Sequence, residues 1–208
     1  MVLHVREADS KNNLKSRFFV PTIAGQLPDV TSDQLFGDFV LDVNQEDWMQ
    51  IELLPHSALP EIKQEITNIE SILHPGKGVS LLWGYESRHV RKKWDAGKTA
   101  ISFETFAAKI NAIRVGAIRM CSSPEKFIKN GFAIHSDNWM YFGTLEHNFV
   151  KNLGIKQFDC VDYELMSILN GYEMVLVDWC NARIITSEMR EEEGTGLNQS
   201  EQGESSMF

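Results

Sequence analysis

The chain has 208 residues, 43% hydrophobic and 24% charged, with a formal net charge of −9. That length suits one domain that buries an apolar core without help from disulfides or a metal, and the acidity disfavours non-specific nucleic-acid binding, because phosphate contacts need clustered Lys and Arg. The longest apolar runs, such as residues 174–177, fall far short of the roughly 20 residues that span a membrane.

Residues 1–10 reach Arg6 and Glu7 before any apolar stretch forms, which is not the pattern of a secretory signal. Residues 18–23 have β character, with Pro21 confining them to an edge or a strand end, and Gly25, Pro28 and Asp29 mark a loop. The clearest strand signal follows. Residues 39–43 form one strand, Asn44, Gln45, Glu46 and Asp47 supply turn chemistry, and residues 48–54 alternate. Met49, Ile51 and Leu53 share one face, Gln50 and Glu52 the other, and the pair is expected to close as an antiparallel hairpin.

The spacing of Leu59, Ile62, Ile66, Ile69 and Leu73 predicts a helix over residues 59–73, with Pro60 near its start and His74, Pro75 and Gly76 at its end. Residues 79–83 form a short strand, and residues 86–98 are polar. A second helix starts at the N-cap Ser102 and buries Phe103, Phe106, Ala107, Ile110 and Ile113. Ser123, Pro124 and Glu125 open a short helix that Gly131 closes. Residues 132–134 and 139–142 are strands about a turn at Ser136, Asp137 and Asn138. Residues 145–153 form a short helix with Gly154 beyond it. Asp162 caps a helix burying Leu165, Ile168 and Leu169, which ends at Asn170 and Gly171. Residues 172–177 and 182–186 make a final hairpin. The expected fold is α+β over residues 1–186, an antiparallel or mixed sheet with several helices packed on it. Residues 187–208, with six Glu and one Arg, form a disordered acidic tail.

Several constellations carry potential chemistry. The basic run Arg88, His89, Arg91, Lys92, Lys93 and Trp94 could hold phosphate or stack a base, but suits a solvated face better in an acidic chain. His135, Ser136 and Asp137 read first as a turn. The six His show no i, i+4 pair or His-Glu-x-x-His motif, so no metal is expected, and no phosphate loop points to a nucleotide cofactor. Cys121, Cys160 and Cys180 form no CxxC pair, which points to reduced thiols in a cytoplasmic protein. Carboxylates near Cys160 and Cys180 raise a thiol pKa and make poor nucleophiles. Asp42, Glu46, Asp47 and Glu52 gather around Trp48 in the first hairpin, an acidic and aromatic surface suited to a basic protein partner.

These features favour a non-enzymatic protein-binding module without cofactor, metal or membrane contact. A bacterial immunity protein that neutralises a basic toxin is one concrete form. The alternative is a hydrolase or transferase that uses His135 and nearby carboxylates.

Overall fold

The structure, a computed structural model, describes residues 17–74, 84–94 and 100–188. The chain first forms β1 (Thr22–Ala24), β2 (Val30–Thr31), β3 (Val40–Val43) and β4 (Ile51–Pro55), then the helix α1 (Leu59–Leu73) and β5 (His89–Arg91). The second helix, α2 (Phe103–Lys109), leads into a run of strands: β6 (Arg114–Met120), β7 (Phe127–Ile128), β8 (Gly131–His135), β9 (Met140–Glu146) and β10 (Phe149–Lys156). Helix α3 (Tyr163–Gly171) and the hairpin of β11 (Met174–Asp178) and β12 (Arg183–Ile185) complete the described chain.

Ten strands join in one sheet, in the order β12-β11-β4-β10-β9-β8-β6-β7-β2, with β3 beside β6. All its pairings are antiparallel except that of β3 with β6. Strands β1 and β5 form a separate parallel pair. The expected α+β balance is thereby overturned: among the described residues the fold is mostly β-sheet, and the three α-helices are short.

Two segments account for the shift. Residues 145–153 carry Leu145, Phe149 and Leu153 four apart, a helical stripe on paper. In the fold His147 and Asn148 both take left-handed backbone, φ 50° and 67°, and turn β9 back onto β10. Successive left-handed residues are what a tight hairpin needs. Residues 123–131 form no helix either, because Phe127 and Ile128 pair with β2 and β6 while Gly131 opens β8.

The first hairpin is also corrected. Strand β3 pairs with β6, not with β4, which lies between β10 and β11. Consecutive turns over residues 44–50, ending in left-handed Met49 (φ 53°), separate β3 from β4. Strand β4 is therefore central and covered on both faces, so Glu52, expected on the outer face, is buried. Leu53 and Leu176 pack with α2 and α3, whereas Leu54, Val175 and Val177 pack with α1, Trp94 and Trp179.

Other expected elements are present. Helix α1 has Pro60 in its first turn and His74 as C-cap. The Ser102 hydroxyl caps α2 and the Asp162 carboxylate caps α3. Ile113, expected to be buried, is 55% exposed because α2 stops at Lys109 and Asn111 turns the chain. The strand expected at residues 79–83 and all but the first two residues of the tail expected at 187–208 lie outside the described residues. Among the described residues no helix is long and apolar enough to cross a membrane.

Candidate functional site

Glu52 sits mid-strand in β4, opposite Gly154 of β10 and Val177 of β11. Its alternation with Leu54 turns it towards the α1 side of the sheet, where Trp179 closes over it. The Trp179 indole Nε1 donates to Glu52 Oε2 at 3.1 Å. With the residue only 3% exposed, burial pushes the Glu52 carboxyl up to about 7, against the opposing pull of the Arg91 charge and the Trp179 N–H.

Arg91 reaches the same interior from β5 and is 1% exposed. One guanidinium nitrogen donates to Thr22 Oγ1 (3.2 Å) and Gln50 Oε1 (3.0 Å), the other to the Met49 carbonyl (2.9 Å). The left-handed turn at Met49 thus lies where its carbonyl serves the guanidinium. The Arg91 cation also faces the Trp179 ring at 5.2 Å. Burial lowers the Arg91 pKa to about 10, opposed by the Glu52 charge, so the guanidinium stays charged at neutral pH. Carboxylate and guanidinium interact through charge across the interior and make no direct ion pair.

Above this pair opens a cavity of about 250 Å³. The loop after β1, residues 24–29, forms one side, and Trp48 and Met49 line the floor with Glu52 and Arg91. Lys92, Lys93 and Trp94 follow β5, Lys129 and Asn130 come from the β7–β8 turn, and residues 144–146 with Lys151 and Asn152 come from β9 and β10. Thr144 donates to Asn152 Oδ1 at 2.8 Å, and Asn152 Nδ2 donates to the Trp94 carbonyl at 3.0 Å. Asn152 lies at the irregularity in the β9–β10 register, and such a bulge re-aims side chains. Trp94 stacks on Trp179 with centroids 5.8 Å apart, and Lys92 Nζ lies 4.3 Å from the Trp94 centroid.

Charge at the pocket departs from that of the whole chain. Five basic side chains line it against three carboxylates. Lys92 pairs with Glu61, and Lys151 pairs with Glu146 at 2.6 Å, which holds the Glu146 carboxyl below its ordinary range. Lys93 and Lys129 have no ion-pair partner among the described residues. Trp94 Nε1 is buried without a hydrogen-bond partner. Comparison with known proteins finds no matching family model, no matching curated protein and no matching solved structure. The pocket therefore has to be read from its own chemistry.

The residues expected around Trp48 take separate places in the fold. Trp48 is 4% exposed and packs on Phe142 at 5.5 Å. Asp42 makes a two-bond pair with Arg119 (2.7 and 3.0 Å), which lowers its pKa, and Glu46 pairs with Arg88 at 3.1 Å. Asp47 is exposed and accepts from Asn44. Only Trp48 and Glu52 of the five come together at the pocket, and they do so from inside.

The basic run is split likewise: Arg91 is interior, Arg88 and Lys92 are paired, and Lys93 and Trp94 line the pocket. No hydrogen bond or ion pair among the described residues joins the His135 side chain to a carboxylate. Ser136 and Tyr141 instead donate to Glu164 Oε1, each at 2.8 Å, and Trp139 Nε1 donates to Asp162 Oδ2 at 2.9 Å. This network fastens the start of α3 to the β8–β9 turn, and burial, with the Glu164 charge, pushes the Tyr141 hydroxyl pKa upward. Hydrogen bonding to Asp159 raises the Cys160 thiol, and burial pushes Cys180 up to about 11. Among the described residues no group of three or more His, Cys, Asp or Glu is placed to hold a metal.

Proposed function

We propose that the chain is a non-catalytic binding protein and that the pocket over Glu52 and Arg91 is its recognition site. The supporting observation is the convergence of a buried carboxylate and a buried guanidinium, from separate sheets, beneath an open cavity whose rim carries two lysines that make no ion pair among the described residues. Strongly perturbed groups gathered in a cleft mark sites of contact. The cavity, about 250 Å³, is smaller than the roughly 300–1,000 Å³ of drug-sized ligand sites and suits a single side chain or a small ion. The lysine rim fits an acidic group, offered by a partner or free in solution, better than the basic partner suggested by net charge. Three free thiols fit a cytoplasmic setting.

The test is heteronuclear NMR with a panel of acidic, basic and neutral small molecules and short peptides. Signals of Trp94, Asn130 and Asn152 are expected to move with at least one probe and to stay put in Lys129→Glu. Shifts confined to the α3 surface, or chemical turnover of a panel member, would overturn the reading.

A further inference from the structure

Resting on that reading, we propose that the pocket takes an oxyanion, a phosphate, sulfate or carboxylate group, and that binding brings a proton onto Glu52. The rim supplies the attraction. Lys93 and Lys129 make no ion pair among the described residues, Lys93 acting on Glu146 by charge alone, and lysine ammonium groups bind such oxygens as point charges. Trp94, on the pocket wall, keeps a buried indole N–H without a hydrogen-bond partner.

The floor supplies the coupling. Glu52 and Arg91 both line the cavity and share Trp179, which donates its N–H to the carboxylate and turns its ring to the guanidinium. With Glu52 ionised, its charge offsets that of Arg91 and repels an incoming anion. With Glu52 protonated, the Arg91 charge stands uncompensated and the carboxyl becomes a donor. A ligand that binds one form better shifts the population towards it. Since burial already holds Glu52 near half-protonation at neutral pH, a modest preference suffices.

Other groups around the pair leave Glu52 as the element that switches. From β5, His89 approaches Glu65 of α1 at 3.2 Å, and the Lys92 N–H donates to the same carboxylate. From β11 and the turn after it come Asp178, which accepts from Asn181, and Cys180, whose thiol burial pushes up to about 11. The walls add Asp29, the Glu146–Lys151 pair, Lys92, Lys93 and Lys129. His147 lies close enough to Glu146 to act on it by charge. His89, held against Glu65, and His147, beside Glu146, are the neighbouring imidazoles, and each serves as a control.

The probe is sulfate, whose own charge does not change near neutral pH. Sulfate affinity is measured by Trp fluorescence at constant ionic strength from pH 6.5 to 8.5 for the wild type, Glu52→Gln, His89→Asn and His147→Asn. Proton uptake is read calorimetrically in two buffers of different ionisation heat. For exclusive binding to the protonated form, a Glu52 carboxyl near pH 7 makes wild-type affinity fall roughly twentyfold across the window, with uptake approaching one proton at its upper end. Glu52→Gln should bind with a flat pH profile near the wild-type affinity of pH 6.5, and the His variants should keep the wild-type slope. Sulfate binding that is flat with pH in the wild type overturns the proton coupling and leaves the pocket reading standing. A slope that survives in Glu52→Gln, or disappears in either His variant, overturns the role of Glu52. Binding unchanged in Lys93→Glu/Lys129→Glu means an adventitious ion only and overturns the oxyanion site. A panel in which only neutral or cationic probes move the pocket signals overturns the oxyanion class alone.

Discussion

Replacing Glu52 by Gln keeps an acceptor for the Trp179 N–H and removes the titration. In the folded chain burial holds this carboxyl at about 7, against 4.5 for an ordinary glutamate. Folded protein thus keeps a proton through a range in which the unfolded chain has released it. A folded pKa raised above the unfolded value means that stability falls as pH climbs from about 4.5 to about 7, and that the penalty is fully present above this window and absent below it. At about 1.4 kcal/mol per pKa unit the whole effect is about 3 kcal/mol. Most of that, about 2–3 kcal/mol, falls between pH 5 and pH 8. Urea unfolding of wild type and Glu52→Gln, followed by Trp fluorescence at four pH values in that range, gives a difference curve in which the other titrating groups cancel. Losing the Glu52 charge beside Arg91 adds a constant offset, not a slope. The variant should gain about 2–3 kcal/mol on the wild type as pH rises. Parallel stability curves would refute the burial and charge argument for Glu52.

Trp48→Ala should cost about 3–5 kcal/mol in denaturant unfolding, as for a core aromatic, while Asp47→Ala stays within about 0.5 kcal/mol. Equal and small effects would restore Trp48 to the surface. Asp162→Ala removes both the α3 cap and the acceptor of the Trp139 indole, so a loss of about 2 kcal/mol or more is expected in the same assay. Gly143→Ala would place a Cβ 1.9 Å from the Asn152 carbonyl oxygen, whereas Gly37→Ala meets nothing within 4 Å. Thermal melts should therefore show a large destabilisation for Gly143→Ala and almost none for Gly37→Ala.

Helices α1 and α3 and the last hairpin were legible because their signals are local: an apolar stripe, a capping Ser or Asp, a Gly at the end. Strand pairing was not. The expected first hairpin joins neighbours in sequence, whereas β3 finds β6 77 residues on and β4 finds β10 and β11 a hundred or more residues on. Nothing in residues 39–54 encodes those partners. Alternation over residues 48–54 puts Glu52 on the face opposite Met49, Ile51 and Leu53, and a strand with one covered face leaves that side to water; its burial comes only with the second layer over β4. Residues 145–153 misled for a different reason: a four-residue spacing of apolar side chains is common to a helix face and to a hairpin with its turn at His147 and Asn148. Arg91 looked like one cation in a basic run. Its alternation with His89 across Val90 was the available strand signal, and Gly154 inside a strand hinted at close approach over Glu52.

Soaking crystals of the chain in selenate and collecting anomalous diffraction tests the recognition site most directly. A selenium peak inside the cavity, within reach of Lys93 and Lys129 and stronger at pH 6.5 than at pH 8.5, is the expected outcome. Selenate found only on outer lysines, with the cavity holding nothing but water at both pH values, would contradict it.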